Sequence, residues 1–412
     1  MMGNTLGIDF GTSNSAAGFL HKGKPRLITL GAGQPTIPTT FFFDFETRQT
    51  LLGDAASRAL LAGAEGRFMR ALKRVLGTSL MHEKRQILND RVTFVDIIAR
   101  FLRHIKSSAE AETGLRFDHA LAGRPVVFHG QNDPREGQAL ADLRACFDAA
   151  GFKTVRFLAE PEAAAIASGV LQQGGQTGLI IDIGGGTSDF TVFRSNPTGT
   201  SIMASHGVRI GGTDFDRSIS IDHVMPLFGK GGQLRKTIGD GLTPVPAALF
   251  NDLATWEKIP FVYTAQNRKL AQDMLRLAQS PTQMTRLSQV LEHELGHDVS
   301  FAVERGKIAA NSGQDGAQIA LGIVEAGLIA PLSPAELSQG LAIHAAPLAG
   351  AMADTVQMAG LSLNEIDQVI YVGGSSLMSL VTQTAAHAFP RAKHVQTDVF
   401  TAVANGLAIA AG

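Results

Sequence analysis

The sequence has one cysteine and almost no net charge. Because a disulfide needs two cysteines, the single Cys146 excludes an intramolecular disulfide and fits a reducing cytoplasm. The formal net charge of −1 gives no electrostatic footprint for nucleic acid or an anionic membrane. These two properties favour a cytoplasmic protein that binds neither nucleic acid nor membrane.

Long apolar runs are also missing. The most apolar stretch, IALGIVEAGLIAPL, is interrupted by Glu325 and is shorter than the ~20 residues that a membrane-spanning helix needs. The first residues, MMGNTLGIDF, lack the basic region and apolar run of a secretory signal. A chain of 412 residues is too long for one simple core, so we expect two lobes.

Two segments far apart in the chain follow the same pattern. Residues 5–20 contain TLGIDF, GTSNS and AAGFL, and residues 178–193 contain GLIIDI, GGGTSD and FTVF. Each is an apolar strand ending in Ile-Asp, a turn of glycine and hydroxyl residues, and a second strand. We interpret the repeat as two homologous lobes, residues 1–176 and 177–412.

The regions between these segments favour an α/β fold with insertions at about 36–113 and 213–338. Residues 54–112, which include EGRFMRALKRVLG, have apolar residues at helical spacing. The other predicted elements are a strand in HALAGRPVVF, a helix in REGQALADLRACFDAAG, a strand in TVRFL, a helix from Glu160 to about Val170, helices within 251–312 broken at Pro260 and Pro281, a strand in DQVIYVGGSS and a closing helix in TAVANGLAIAAG.

The two glycine turns have the chemistry of a phosphate site. Backbone N–H groups at such turns can surround phosphate oxygens, and glycine lets the backbone approach closely. Hydroxyl groups and carboxylates that could hold a hydrated Mg²⁺ accompany them; they belong to Thr12, Ser13, Thr187, Asp9, Asp182 and Asp189. One such turn alone is more often an ordinary hairpin. Two matched copies favour a nucleotide held between two lobes.

The segments GIDFGTSNS, AEPEAAAIASG, DIGGGTSDF, IGGTDFD and VIYVGGSS occur in the order found in the actin-like ATPase superfamily. Their detail most resembles the nucleotide-binding domain of Hsp70 chaperones. Within that family, GRPVVF, DHVMPLFGKGG and FVYTAQN are similar to bacterial Hsp70-like proteins of the YegD kind. The resemblance implies a two-lobed actin-like ATPase fold, built from duplicated ribonuclease H-like domains.

The resemblance also implies roles for particular residues around Mg·ATP or Mg·ADP. Asp9 and Asp182 would orient the water shell of Mg²⁺, and Lys73 would reach the γ-phosphate. The implied catalytic residues are Lys73, Glu160, Asp182 and Thr187. The implied nucleotide contacts are Asp9, Gly11, Thr12, Ser13, Asn14, Gly184, Gly185, Gly186, Thr187, Asp189, Gly211, Gly212, Gly373, Gly374 and Ser375. Without the resemblance, Lys73 could be a solvated helix lysine and Glu160 an acid favoured by a helix dipole.

The adenosine side departs from the family pattern. Glu304 and Lys307 in FAVERGKIAANS match ribose contacts, but Ile308 and Leu377 stand where the family has arginines that enclose adenine. Phe400 stands at an expected aspartate, for which Asp398 is a candidate substitute. Losing two guanidinium groups removes cation–π attraction. We expect weaker or altered nucleotide affinity.

The segment HELGH contains His293, Glu294 and His297, the spacing of a zinc protease motif. The alignment with the family places it on the helix that leads into FAVERGKIAAN. Ser300 and Val303 occupy positions where the longer protease pattern has glycine and histidine. These departures favour a chance match over a zinc protease, and leave adventitious zinc binding open.

The expected function is slow Mg-dependent ATP hydrolysis with nucleotide-driven lobe closure and a chaperone-related role. The sequence ends at AIAAG without the family's linker and β-sandwich, so we do not expect this chain alone to hold peptide substrates. Arg156 matches a position near the co-chaperone surface, but Ala159 replaces the usual asparagine and puts a J-protein partner in doubt. Three alternatives stay open: a non-hydrolysing, nucleotide-gated scaffold, a small-molecule kinase of the same superfamily, and a filament-forming cytoskeletal protein.

Overall fold

A computed structural model describes residues 4–129, 133–168, 175–196, 199–396 and 401–412. The strands are β1 (Thr5–Phe10), β2 (Asn14–His21), β3 (Lys24–Leu27), β4 (Thr36–Pro38), β5 (Thr40–Asp44), β6 (Thr50–Leu52), β7 (Gly66–Arg70), β8 (Arg85–Ile87), β9 (Asp90–Val92), β10 (His119–Arg124), β11 (Thr154–Ala159), β12 (Thr177–Ile183), β13 (Ser188–Asn196), β14 (Gly199–Val208), β15 (Gln233–Arg235), β16 (Leu242–Pro244), β17 (Gln318–Ala320), β18 (Ile329–Pro331), β19 (Gln368–Val372) and β20 (Lys393–Gln396).

The α-helices are α1 (Asp54–Leu61), α2 (Phe94–Thr113), α3 (Glu136–Ala149), α4 (Glu160–Ala167), α5 (Gly212–Ile219), α6 (Ala248–Leu253), α7 (Ile259–Val262), α8 (Ala265–Leu277), α9 (Pro281–Glu292), α10 (Gly296–Asn311), α11 (Pro334–Leu341), α12 (Ala345–Met358), α13 (Ser379–Ala388) and α14 (Ala402–Ala410). None of these helices is long and apolar enough to cross a lipid bilayer.

Two sheets share one strand topology. The first has the order β11-β10-β1-β2-β3, and the second has the order β14-β13-β12-β19-β20. In each, the aspartate-bearing strand pairs antiparallel with the strand after it and parallel with a strand much later in the chain. Parallel neighbours usually lie deep in a sheet, which explains the apolar sequences of β1 and β12. The repeated topology confirms the expected α/β fold with duplicated sheets.

Helices α4 and α14 join residues of both sheets in one apolar cluster. Ala163, Ala164 and Ala165 of α4 are fully buried there, together with Leu407 of α14. Small side chains let the two helices approach closely, which is why both sequences are rich in alanine. The predicted closing helix in TAVANGLAIAAG is therefore confirmed, and α4 begins at Glu160 as predicted.

The expectation that residues 54–112 are largely helical is only partly right. Helices α1 and α2 form within it, but EGRFMRALKRVLG does not form a helix. Gly66–Arg70 is the strand β7, and Leu72–Val75 is one turn of 3₁₀-helix. The phenylalanine-rich strand β5 pairs antiparallel with β7 and supplies its hydrogen bonds. Pairing with a strand from elsewhere in the chain overrides the local helical spacing.

The chain divides into two compact units by their internal packing. Unit 1 comprises residues 1–209, 349–377 and 385–412, and unit 2 comprises residues 210–348 and 378–384. Unit 1 contains both repeated sheets. Unit 2 is mainly helical and carries the short hairpins β15–β16 and β17–β18. The lobe boundary expected at residue 176 separates the two repeated sheets, and both of these lie in unit 1. The division into units therefore does not test that boundary, which stays a prediction.

The HELGH segment does not lie on one helix, which corrects the expectation from the alignment. Helix α9 ends at Glu292, Glu294 has a left-handed φ of 55°, and α10 begins at Gly296. The hydroxyl of Tyr263 fixes this break, because it donates to the Glu294 carbonyl at 3.0 Å and accepts from the Gly296 N–H at 2.9 Å. The one-turn spacing that would align two imidazoles on a helix is therefore lost.

The side chains of HELGH make ordinary protein contacts. The Glu294 carboxylate pairs with Arg268 at 2.8 Å, and the His297 ring lies edge-on to Trp256 with 4.7 Å between centroids. Over the described part of the chain, no group of three or more histidine, cysteine, aspartate or glutamate side chains is arranged to hold a metal ion.

Candidate functional site

An ion pair between Lys73 and Glu160 lies at the centre of the candidate site in unit 1. The Lys73 Nζ lies 2.6 Å from Glu160 Oε1, and the two side chains are only 10% and 15% exposed. Lys73 is on the 3₁₀ turn Leu72–Val75, and Glu160 is the first residue of α4. The Glu160 stem packs over Gly123 at the end of β10, where a larger residue would meet it. The structure thus brings together two predicted catalytic residues that are 87 positions apart.

Three buried carboxylates, those of Asp9, Asp182 and Asp189, lie close enough to interact electrostatically with this pair. Burial raises the pKa of Asp9 to about 7, the Glu160 charge adds to the rise, and Lys73 opposes it. Burial and the charges of Glu160 and Asp189 raise the pKa of Asp182. The pKa of Asp189 rises to about 6, mainly through burial and then through Glu160.

Lys73 responds in the opposite sense. Burial alone would lower the pKa of Lys73, but the charges of Glu160 and Asp9 raise it above its ordinary value. The lysine is therefore held charged, among acidic groups that are costly to ionise together. Such a cluster has the electrostatics of a site that receives a further cation.

The two glycine turns lie against each other within unit 1. A Cβ placed on Gly185 would come within 2.7 Å of the Ser13 hydroxyl oxygen, so that hydroxyl lies on the second turn. The Ser13 carbonyl accepts from the Thr39 N–H at 2.8 Å, which fixes the first turn from behind. In the second turn, the Thr187 hydroxyl donates to Asp189 across 3.4 Å. Gly11, Thr12, Gly184 and Gly186 lie in these same two loops, and Asn14 is the first residue of β2.

A third loop closes on Asp182. Gly373 follows β19 with a φ of 77°, and a Cβ there would lie 2.7 Å from Asp182 Oδ1 and 2.6 Å from the Ile183 carbonyl oxygen. Only glycine fits both the left-handed backbone and this close approach. Gly374 and Ser375 continue into the 3₁₀ turn Gly374–Leu377.

Arg74 is a residue of this site that the sequence did not single out. Its guanidinium lies directly on Gly186, in the space that a Cβ of that residue would need. Arg74 follows Lys73 in ALKRVLG, so two adjacent cations on one turn were the available signal. The geometry places this second cation beside the predicted phosphate loop.

The donor set fits Mg²⁺ held through its bound waters, since Asp9, Asp182 and Asp189 are not arranged to ligate a metal ion directly. Asp9, Asp182 and Asp189 offer hard carboxylate oxygens, the ligand type that Mg²⁺ and its bound waters prefer. Burial and then the negative charge of Glu160 raise the pKa of all three carboxylates, and a bound cation would favour their ionised forms.

The remaining predicted contacts belong to unit 2, apart from Leu377, which ends its 3₁₀ turn in unit 1. Gly211 and Gly212 form the start of α5, where the Gly211 N–H donates to Asp214 at 2.9 Å. Glu304 and Ile308 are exposed on one face of α10. Phe400 and Asp398 lie outside the described residues.

Lys307, a predicted ribose contact, is buried in unit 2. Its Nζ lies 2.7 Å from Asp216 Oδ1, with the two side chains 6% and 15% exposed. It also lies 3.5 Å from the Gly212 carbonyl oxygen. The structure therefore gives Lys307 a role in tying α10 to the glycine turn at the start of α5.

Comparison with known proteins agrees with this arrangement. The model of the Hsp70 protein family matches residues 5–237, which include β1, Lys73, Glu160 and the second glycine turn. The chain is also similar to the chaperone protein DnaK of Thermoplasma acidophilum, with 35% identity over 243 residues. That match covers 57% of this chain and 38% of the relative, so the chain corresponds to well under half of the relative's length. With more than half of its residues matched by the family model, and with the duplicated sheets of the actin-like ATPase fold, this chain belongs to the Hsp70 family.

Proposed function

We propose that this chain binds ATP with Mg²⁺, hydrolyses it slowly to ADP and phosphate, and uses the nucleotide state to drive lobe closure. The proposed biological role is chaperone-related and cytoplasmic, in the YegD-like branch of the family. The similarity to the chaperone protein DnaK of Thermoplasma acidophilum supports the chaperone part of this proposal. The partner or client stays open, and Ala159 argues against a J-protein.

The observation that carries the proposal is the buried charge cluster around Lys73 and Glu160. Phosphoryl transfer needs a positioned triphosphate and neutralisation of its developing charge, more than covalent chemistry from the protein. Lys73 is held charged by neighbouring carboxylates. Its ammonium group is suited to the γ-phosphate, and Glu160 at 2.6 Å fixes its position.

The carboxylates and the glycine turns would hold the metal ion, the attacking water and the phosphates. Asp9 and Asp182 would hold Mg²⁺ through water, and the bound ion would neutralise phosphate oxygens. Asp189 and Thr187, joined by a hydrogen bond of 3.4 Å, would orient the attacking water. The backbone N–H groups of the two glycine turns would hold the phosphates.

Steady-state phosphate release from ATP tests the proposal. We expect slow release from the unmodified protein and about a hundredfold loss in Lys73→Ala, the scale for removing one preorganised charge donor. Lys24→Ala is the matched control, because Lys24 is an exposed lysine of β3. Equal rates in Lys73→Ala and the unmodified protein would exclude hydrolysis at this site. Tight ATP binding with no release from either protein would instead favour a nucleotide-gated scaffold.

A further inference from the structure

The turn that carries Lys73 has a left-handed residue at each end, and the one at Ala71 is strained. It begins at Ala71, a residue with a Cβ that nevertheless has a left-handed φ of 59°. It ends at Gly77, where φ is 80°. A non-glycine residue in the left-handed region is strained and persists only where its surroundings enforce it. Contacts from outside the turn must therefore hold residues 71–77 in place.

The buried carboxylate of Asp142, on α3, supplies one of these contacts. Asp142 is 1% exposed, and its Oδ2 accepts the Gly77 N–H at 2.8 Å. Its other oxygen, Oδ1, accepts from Gln138 Nε2 at 2.6 Å and lies 2.9 Å from His82 Nε2. One of these contacts is thus to the end of the turn, and the other two fix the carboxylate itself.

His129 supplies the second contact. Its Nε2 donates to the Leu76 carbonyl at 2.6 Å, one residue before Gly77. His129 is itself fixed, since the Glu136 carboxylate accepts its backbone N–H at 2.7 Å. A Cβ on Gly77 would come within 3.0 Å of His129 Nε2 and 2.7 Å of the Arg135 carbonyl oxygen. The Lys73 turn is consequently clamped against the start of α3 by two independent side chains.

We propose that Asp142 and His129 are positioning residues for ATP hydrolysis, which act by holding the Lys73 turn at the distance that the γ-phosphate requires. Neither residue touches the charge cluster; both act through the backbone of residues 76 and 77. A displacement of about 1 Å at a catalytic group can cost on the order of a hundredfold in rate. This inference rests on the proposed function, because it concerns a γ-phosphate contact of Lys73.

Paired substitutions test each contact. Asp142→Ala removes the acceptor of the Gly77 N–H, whereas Asp142→Asn keeps an oxygen for it and lets Gln138 and His82 present acceptors to the new amide. His129→Ala removes the donor to Leu76, whereas His129→Gln keeps an amide donor. Asp148→Ala is the control, since Asp148 is an exposed carboxylate on the same helix α3 and is not part of the clamp.

We expect kcat for phosphate release to fall at least tenfold in Asp142→Ala and His129→Ala and to stay within about threefold in Asp142→Asn, His129→Gln and Asp148→Ala. Affinity for Mg·ADP should change by less than about threefold in all of them, because ADP lacks the phosphate that Lys73 contacts. If the unmodified protein binds ATP without hydrolysing it, the ratio of ATP to ADP affinity replaces kcat as the measured quantity.

The outcomes separate the two proposals. An unmodified protein that binds no nucleotide overturns the proposed function and this inference together. Normal hydrolysis in both alanine variants overturns the inference alone. Parallel losses of ADP affinity and melting temperature, without recovery in the conservative variants, would assign Asp142 and His129 a purely structural role and also overturn it.

Discussion

Asp182 and Asp189 are directly opposite each other in the β12–β13 hairpin. Like charges at such a cross-strand position destabilise a sheet. Burial raises the pKa of Asp182 most, and repulsion from the carboxylates of Glu160 and Asp189 raises it further. The hairpin thus keeps a costly pair that a purely structural strand would avoid, a pattern typical of functional sites.

Replacing Asp182 by asparagine should therefore stabilise the ligand-free protein and abolish Mg-dependent nucleotide binding. Removing one charge of an opposed pair is worth about 0.5–1 kcal/mol in unfolding free energy. Urea denaturation without nucleotide measures the stability, and calorimetric titration with Mg·ADP measures the binding. Lower stability in Asp182→Asn would show that this carboxylate is held by favourable contacts instead.

Ile308 offers a second residue-scale test, on the base side of the nucleotide. It is 57% exposed on α10, and the family resemblance implies an arginine at this position. Ile308→Arg restores a cation for a purine face, so ADP affinity should rise about threefold, the scale of an exposed cation–π contact. Ile323→Arg is the control, because Ile323 is 56% exposed in the same unit. Titrations with ATP, ADP and GTP measure the affinities of the three proteins. Tight ADP binding by the unmodified protein would contradict the weaker affinity that the sequence predicts.

At the scale of single elements, α2 is a 20-residue helix with both a capping box and a buried apolar face. Thr93 caps it by accepting the Asp96 N–H at 3.2 Å, while the Asp96 carboxylate accepts the Thr93 N–H at 2.8 Å. The helix buries an apolar face that includes Ile97, Phe101 and Ile105. The cap fixes where the helix begins, and the apolar face fixes which side of it is buried.

Thr93→Ala should lower the free energy of unfolding by about 1 kcal/mol, because the Asp96 N–H loses its acceptor. Thr93→Ser retains the hydroxyl and should stay close to the unmodified protein. Thermal denaturation followed by circular dichroism compares the three proteins. An unchanged melting temperature in Thr93→Ala would mean that packing alone fixes the helix.

Elements whose sequence pattern agrees with their surroundings were predictable. Both hairpins, the strand before Gly373 and helices α3, α4 and α14 follow from local pattern and turn residues. The segment EGRFMRALKRVLG was not predictable locally, because β5 imposes pairing on Gly66–Arg70. The break in HELGH depends on the hydroxyl of Tyr263, which lies outside the motif.

The site was predictable in part for the same physical reason. Asp9 and Asp182 come from visible turns, but the contact of Lys73 with Glu160 joins residues 87 positions apart and was accessible only through family resemblance. The clamp by Asp142 and His129 has no sequence signature, since each residue bonds to backbone atoms of a distant turn.

On the scale of the whole molecule, nucleotide should act as a stabilising ligand. A ligand that binds only the folded state at a hundred times its Kd adds about 2.7 kcal/mol to the free energy of unfolding. We expect Mg·ADP to raise the melting temperature accordingly, and EDTA to remove most of that rise because the carboxylate cluster then stays uncompensated. Differential scanning fluorimetry with and without EDTA measures both effects. An equal shift in EDTA would show that nucleotide binds without the metal.

The connections within unit 1 also constrain how the chain can fold during translation. Strand β12 pairs with β19, so Asp182 meets its partner Val372 only after the whole of residues 210–348 has been made. Strand β1, at the start of the chain, packs against α14, made of residues 402–410. Contacts between such distant residues form slowly, because long loops must close first. The main segment of unit 2, residues 210–348, can thus condense on the ribosome before β19 reaches the β12–β13 hairpin, and the first sheet receives α14 later still.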